Sequence, residues 1–140
     1  MREERPVEPA AGDAVRDGKN TATDYPADAT LASMFAQQVA RSPDAPALAF
    51  GDRVLSYAAL NAHANRLAHR LLALGVGPDR CVAVCMTRSF ELVIALVAIQ
   101  KAGGAYLPID PDYPDARIDY MLDDAAAPVL LTQRALGARF

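Results

Sequence analysis

Lys101-Ala-Gly-Gly-Ala-Tyr-Leu-Pro-Ile-Asp110 decides the fold, because it holds a helix end, a turn and a strand within one short stretch. The apolar run before it, Leu92 to Ile99, fits either a buried strand or a buried helix by periodicity alone. Ser89 as a cap, Glu91 in the first turn and the glycine pair at the far end favour the helix. Glycine's tolerance of positive φ then ends that helix at Gly103-Gly104 and turns the chain. Lys101, near the helix C-terminus, complements the dipole more simply than it holds a phosphate. Ala105 to Ile109 follows as a strand, closed by Asp110-Pro111.

Outward from this stretch, Cys81 to Met86 is apolar on both faces, as expected of a parallel strand covered by helices above and below. Pro114 suits the first turn of a helix through about Asp124, with Ile118, Met121 and Leu122 facing inward. Pro128 to Thr132 supplies a third strand. Strand, helix, strand, helix, strand in that order predicts an α/β fold with a right-handed, mostly parallel, doubly wound sheet. Such a sheet binds ligands beyond the carboxyl ends of its strands.

Upstream, Ser56 starts a helix whose apolar stripe is Leu60, Ala64, Leu67, Leu71 and Leu74, ending at Gly75. Pro46 to Phe50 and Arg53 to Ser56 flank Gly51-Asp52 as a short hairpin. Thr30 caps a helix to about Arg41, with Leu31, Met34, Phe35 and Val39 at helical spacing, expected to lie on the surface of something larger. Met1 to about Asp28 has few large apolar residues and no periodicity, which reads as a flexible leader or interdomain linker. Residues 29–140 are the expected globular part.

Charged residues make up 22% of the chain and the net charge is −3, so no basic field is available to neutralise a nucleic-acid backbone. No apolar block near Met1 suits a signal peptide, and Leu92 to Ile99 is far shorter than the roughly 20 residues a membrane span needs. The expectation is a cytoplasmic protein with neither nucleic acid nor membrane as partner. Cys81 and Cys85 lie on one face of their strand about 13 Å apart, so they neither bridge nor share a metal. Two buried, reduced thiols agree with a cytosolic setting.

Residue types that carry chemistry elsewhere have structural readings here. Gly103-Gly104 follows a helix, whereas a nucleotide-binding glycine loop precedes one. His63 and His69, six apart on one helix, are about 120° out of register and form no metal pair. Ser33, Ser56 and Ser89 sit at helix starts, and none lies in the tight glycine-flanked turn of an activated nucleophile. Asp110, Asp112 and Asp115 cluster around Pro111 and Pro114, where a metal or acid–base role competes with ordinary turn formation, and turn formation is the favoured reading.

Leu55-Ser-Tyr-Ala-Ala-Leu-Asn61 with Ala64-Asn-Arg-Leu-Ala68 resembles the first core motif of nonribosomal peptide synthetase adenylation domains. Where the family usually has Glu, this chain has Ala59, read as an exposed helical position. Lys101 to Asp110 is similar to the second core motif at every position, with Gln100 where Leu is usual. Asn20 to Pro26, Leu31, Phe35 and Ser42-Pro-Asp44 look like the linker and first helix that precede these domains.

The resemblance implies part of the large N-terminal subdomain of an adenylate-forming enzyme, and ATP-dependent activation of an amino acid by the complete domain. Magnesium would accompany the ATP. Partners implied are the remainder of the adenylation domain, a carrier protein with a phosphopantetheine arm and the amino acid, with an upstream condensation domain as a further candidate. The family's phosphate loop, ammonium-binding Asp, ribose-binding Asp and catalytic Lys lie downstream of these motifs. The resemblance therefore carries over no catalytic, cofactor-binding or metal residue. An inactive N-terminal fragment with an exposed hydrophobic sheet edge, poorly soluble or oligomeric, is the expectation. Its rivals are a non-catalytic binding module on the same scaffold and a fragment of an acyl-coenzyme-A or aryl-acid ligase.

Overall fold

The computed structural model describes residues 27–140. The expected leader, residues 1–28, lies outside the described residues except for its last two. The elements run α1 (Leu31–Arg41), β1 (Pro46–Phe50), β2 (Arg53–Ser56), α2 (Tyr57–Ala73), β3 (Cys81–Cys85), α3 (Phe90–Lys101), β4 (Ala105–Ile109), α4 (Asp115–Asp124), β5 (Val129–Thr132) and a terminal 3-10 turn, Gly137–Arg139.

β1 and β2 pair antiparallel around Gly51, whose φ of 59° places it in the left-handed region that the turn requires. The main sheet has the order β4-β3-β5 and is parallel throughout. The chain steps from β3 to β4 in one direction, then crosses back past β3 to β5. Two right-handed crossovers in opposite directions must place their helices on opposite faces. Packing bears this out. Val82 and Val84 point into a cluster with Ala64, Ala68 and Leu71 of α2 and with Ala98 and Ile99 of α3. Ala83 and Cys85 point the other way, against Ile109 and Ile118 of α4. Both faces of β3 are thus covered, as its all-apolar sequence requires. Pro108, which has no N–H to donate, sits on β4 at the sheet edge, where a missing ladder bond is tolerated.

Three helices end in the same way. After α2, Val76 N donates to Leu71 O at 3.0 Å and Gly75 N to Leu72 O at 3.0 Å. After α3, Gly104 N donates to Ile99 O and Gly103 N to Gln100 O, both at 3.1 Å. After α4, Ala127 N donates to Leu122 O at 3.3 Å and Ala126 N to Asp123 O at 3.1 Å. These are paired Schellman bonds, and each needs a left-handed residue just past the cap. Gly75 (φ 82°) and Gly103 (φ 77°) provide it without strain; Ala126 (φ 44°) does so against the clash of its Cβ with the backbone.

Several expectations need correction in detail. Leu74 is 58% exposed, because it is the cap residue of α2 and the chain has already left the helical stripe. α1, by contrast, lies at the surface as expected: none of its residues is buried, Leu31 and Met34 are exposed, and it leans on the body through Phe35, whose ring lies 6.1 Å from that of Tyr57. Pro114 stands just before α4, with φ −57° and ψ 145°, instead of inside its first turn. Ala59 is half-buried, and so is Cys81, because its end of β3 is less covered than Cys85.

Candidate functional site

A doubly wound sheet offers ligands the loops beyond its carboxyl strand ends. Here those loops are Met86 to Ser89 after β3, Asp110 to Pro114 after β4 and the segment from Gln133 after β5. An open crevice of about 660 Å³ lies beyond β3 and β4, with Val84, Met86, Arg88, Tyr106, Asp110 and Asp112 on its walls. Its charged groups are one guanidinium and two carboxylates, all at the protein surface.

The Asp residues of the β4–α4 loop serve the loop itself. Asp110 Oδ1 accepts from Asp112 N at 2.9 Å, the short-range bond by which Asp closes a turn. Asp115 is paired with Arg139, which donates also to Pro111 O and, at 2.9 Å, to Tyr113 O. The bond to Asp115 holds the Arg139 guanidinium above its usual range. Among the described residues no group of three or more His, Cys, Asp or Glu is placed to hold a metal. His63 and His69 are both exposed, and His63 Nδ1 lies 2.9 Å from Arg66.

Three of the four α-helix starts carry a side-chain cap, while α4, which follows Pro114, has none. Thr30 and Ser33 cap each other's amides at 3.1 and 2.9 Å in a reciprocal box, Ser56 accepts from Ala59 N at 3.3 Å, and Ser89 accepts from Leu92 N at 3.2 Å. The three serines therefore do what their positions suggested. Lys101 Nζ stands 5.5 Å from the centre of the Phe35 ring, a cation–π contact between α3 and α1. Burial raises the Cys85 thiol above its ordinary value; the Arg139 charge opposes that rise and Asp110 adds to it. A thiol kept protonated is a poor nucleophile. Gly103 and Gly104 lie between α3 and β4, away from any helix start. The crevice walls thus bring one guanidinium and two carboxylates together at the strand ends, with no cluster of metal-ligating side chains beside them among the described residues.

Two residues after β5, Gln133 at the strand end and Arg139 in the terminal 3-10 turn, make long-range contacts that local sequence marks weakly or not at all. Gln133 Oε1 accepts from Thr87 N at 3.0 Å and from Thr87 Oγ1 at 2.8 Å, while Gln133 Nε2 donates to Ser89 Oγ at 3.0 Å. Its place directly after a strand of a doubly wound sheet was the one available signal. Arg139 binds a loop more than 20 residues earlier in the chain, and nothing local announces that.

A parallel sheet covered on both faces, with its strand-end loops tied in part by its own side chains, defines a doubly wound α/β unit. The chain belongs to the AMP-binding enzyme family, which matches residues 35–139. It is 51% identical over 117 residues to tyrocidine synthase 3 of Brevibacillus parabrevis, covering 84% of this chain and 2% of that protein. Tyrocidine synthase 2 of the same organism is 49% identical over 120 residues, covering 86% and 3%. Bacitracin synthase 2 of Bacillus licheniformis is 47% identical over 117 residues, covering 84% and 4%. The crystal structure of the nonribosomal peptide synthetase FmoA3 superposes with a TM-score of 0.79 at 38% identity, over 90% of this chain and 14% of that one. The match is therefore to part of a nonribosomal peptide synthetase adenylation domain, as the two sequence motifs implied, and the chain spans 2–4% of these three synthetases and 14% of the FmoA3 chain.

Proposed function

We propose that these residues form the scaffold of a domain that activates an amino acid with ATP. The substrate carboxylate attacks the α-phosphate, pyrophosphate leaves, and the aminoacyl-adenylate passes its acyl group to a carrier-protein thiol. Residues 29–140 belong to that domain and the stretch before them is a leader or interdomain linker. ATP, magnesium and the amino acid are held by residues outside these 140. A phosphopantetheinylated carrier protein and an upstream condensation domain are the partners, and the cytoplasm is the setting. No described helix is long and apolar enough to cross a membrane.

The observation that carries this reading is the continuous similarity to peptide synthetases over more than four-fifths of the chain, both core motifs included. Against direct catalysis by these residues alone stands the chemistry: stabilising a pentavalent phosphate takes several positioned cations and amides around one point, and the crevice wall carries a single guanidinium, Arg88, beside two carboxylates. Amino-acid-dependent ATP–pyrophosphate exchange tests both halves. The synthetase that contains this stretch is expected to exchange with one or a few amino acids, and the 140-residue chain alone with none. Turnover above background by the chain alone refutes the assignment of catalysis to other residues.

A further inference from the structure

The parallel sheet has two edges, β4 and β5, and its sequence treats them differently. Ala105 N donates to Arg80 O, so Ala105, Leu107 and Ile109 turn their main-chain groups toward β3. By the alternation along a strand, Tyr106 and Pro108 turn theirs outward. Pro108 has no N–H, which leaves Tyr106 as the only outward donor of β4. On β3 the same alternation turns Ala83 to β5, where it bonds to Val129 and Leu131, the neighbours of its register partner Leu130. Leu130 and Thr132 therefore point both amide and carbonyl away from the sheet. None of Val129 to Thr132 is proline or charged, the residues by which an edge is closed to pairing. Beside β5, on the α2–α3 face, an open groove of about 400 Å³ has Leu55, Leu67, Ile94 and Leu131 on its walls.

The way the chain leaves β5 points to the same edge. The step from β4 to β5 is a right-handed crossover over the α4 face, and on one face such crossovers all travel in one direction. After β5 the chain is held on that face, because Arg139 binds Asp115 at the start of α4 and donates to Tyr113 O. A further parallel strand reached from there comes to lie outside β5, next to Leu130 and Thr132.

We infer that β5 is the edge at which this sheet is extended, and that a parallel strand from synthetase residues outside these 140 pairs with the outward groups of Leu130 and Thr132. This rests on the reading of the chain as part of a larger adenylation domain, and the test separates the two. Hydrogen exchange is read residue by residue in the synthetase that contains this stretch, and in the 140-residue chain at a concentration where it is monomeric. In the synthetase the Leu130 and Thr132 amides are expected to exchange within about threefold of Leu131, whose amide bonds β3; in the chain alone they are expected to exchange about a hundredfold faster than Leu131. Fast exchange of both amides in the synthetase overturns the inference, whether or not Tyr106 is protected. Protection of one of the two alone is the mark of a loop contact and overturns the strand. Equal protection in the monomeric chain overturns it as well, because the edge then needs no residue from outside. If the chain alone does not hold β3 and β5 together, the synthetase measurement decides by itself. A synthetase with no ATP–pyrophosphate exchange refutes the adenylation reading, and the two amides still decide the strand.

Discussion

Gly103 and Gly104 stand side by side but are needed for different physical reasons, and substitutions separate the two. Gly103 has φ 77°, and a Cβ there would meet only Pro78, its Cδ at 3.7 Å, an ordinary contact. Gly103→Ala should therefore lose about 1–2 kcal/mol through left-handed strain alone, and Gly103→Asn, which accepts that conformation better, should lose less. Gly104 has no positive φ. A Cβ there would lie 2.7 Å from Val76 Cγ1, 3.2 Å from Arg80 O and 3.5 Å from Ile99 Cγ2. None of these neighbours yields easily: Val76 is β-branched and buried, Ile99 is fully buried, and Arg80 O accepts the Ala105 amide at 2.9 Å. Gly104→Ala should cost about 1–3 kcal/mol as overpacking, and Gly104→Asn at least as much. Urea unfolding of each variant reads these values from the shifted midpoint at constant slope. Combining Gly104→Ala with Val76→Ala should lose less than the two changes summed, since the smaller residue removes the clash, whereas Gly103→Ala with Val76→Ala should be additive. Equal losses for Gly103→Asn and Gly103→Ala, or a neutral Gly104→Ala, would refute the division of labour.

Other outcomes follow from single contacts. Ala126→Gly should stabilise by about 1 kcal/mol, because the third Schellman end then gains the residue its φ of 44° favours; thermal melting checks it. Ala59→Glu should add about 0.5–1 kcal/mol by completing a capping box with Ser56, whose hydroxyl already accepts the Ala59 amide, and a circular-dichroism melt of the variant measures it. Cys85, with its folded-state pKa raised, favours the native state fully at pH values below the unfolded thiol's ordinary value, and that contribution disappears as pH climbs through the raised one. Unfolding free energy should thus fall on the alkaline side, and Cys85→Ala should flatten that fall while lowering stability overall. Native alkylation should reach half-buried Cys81 well before Cys85, as peptide mapping would record.

The sequence marked an element wherever a residue type has one strong local use. Glycine at 75 and 103, serine at 56 and 89 and threonine at 30 each set a helix boundary that the structure repeats. The all-apolar Cys81–Cys85 segment told of a strand covered twice, and both faces are covered. Where a residue type has no such use, the signal failed. Ala126 ends a helix in a conformation that alanine does not advertise, and Leu74 looked like the last member of a stripe although the helix stops one residue earlier. The strand-end loops were least legible of all, because Gln133 and Arg139 act across 44 residues and 24 residues of chain, through side chains whose only local character is length and polarity.

Packing and backbone geometry constrain much of Lys101 to Asp110. Lys101 lies over the Phe35 ring, and Ala102 is the α3 cap with only 4% of its surface exposed. Gly103 supplies the left-handed turn and Gly104 the space beside Val76. Ala105 binds the Arg80 carbonyl, Pro108 is admissible because β4 is an edge, and Ile109 closes the α4 side of the core. Asp110 folds the next turn onto its own carboxylate. Three neighbours meet along this decapeptide: α1 through Lys101, the loop before β3 through Gly104 and Ala105, and α4 through Ile109. A change at one position must therefore be accommodated in a different part of the fold from a change at the next. A segment held by three different neighbours is a sharp marker of the scaffold that holds it.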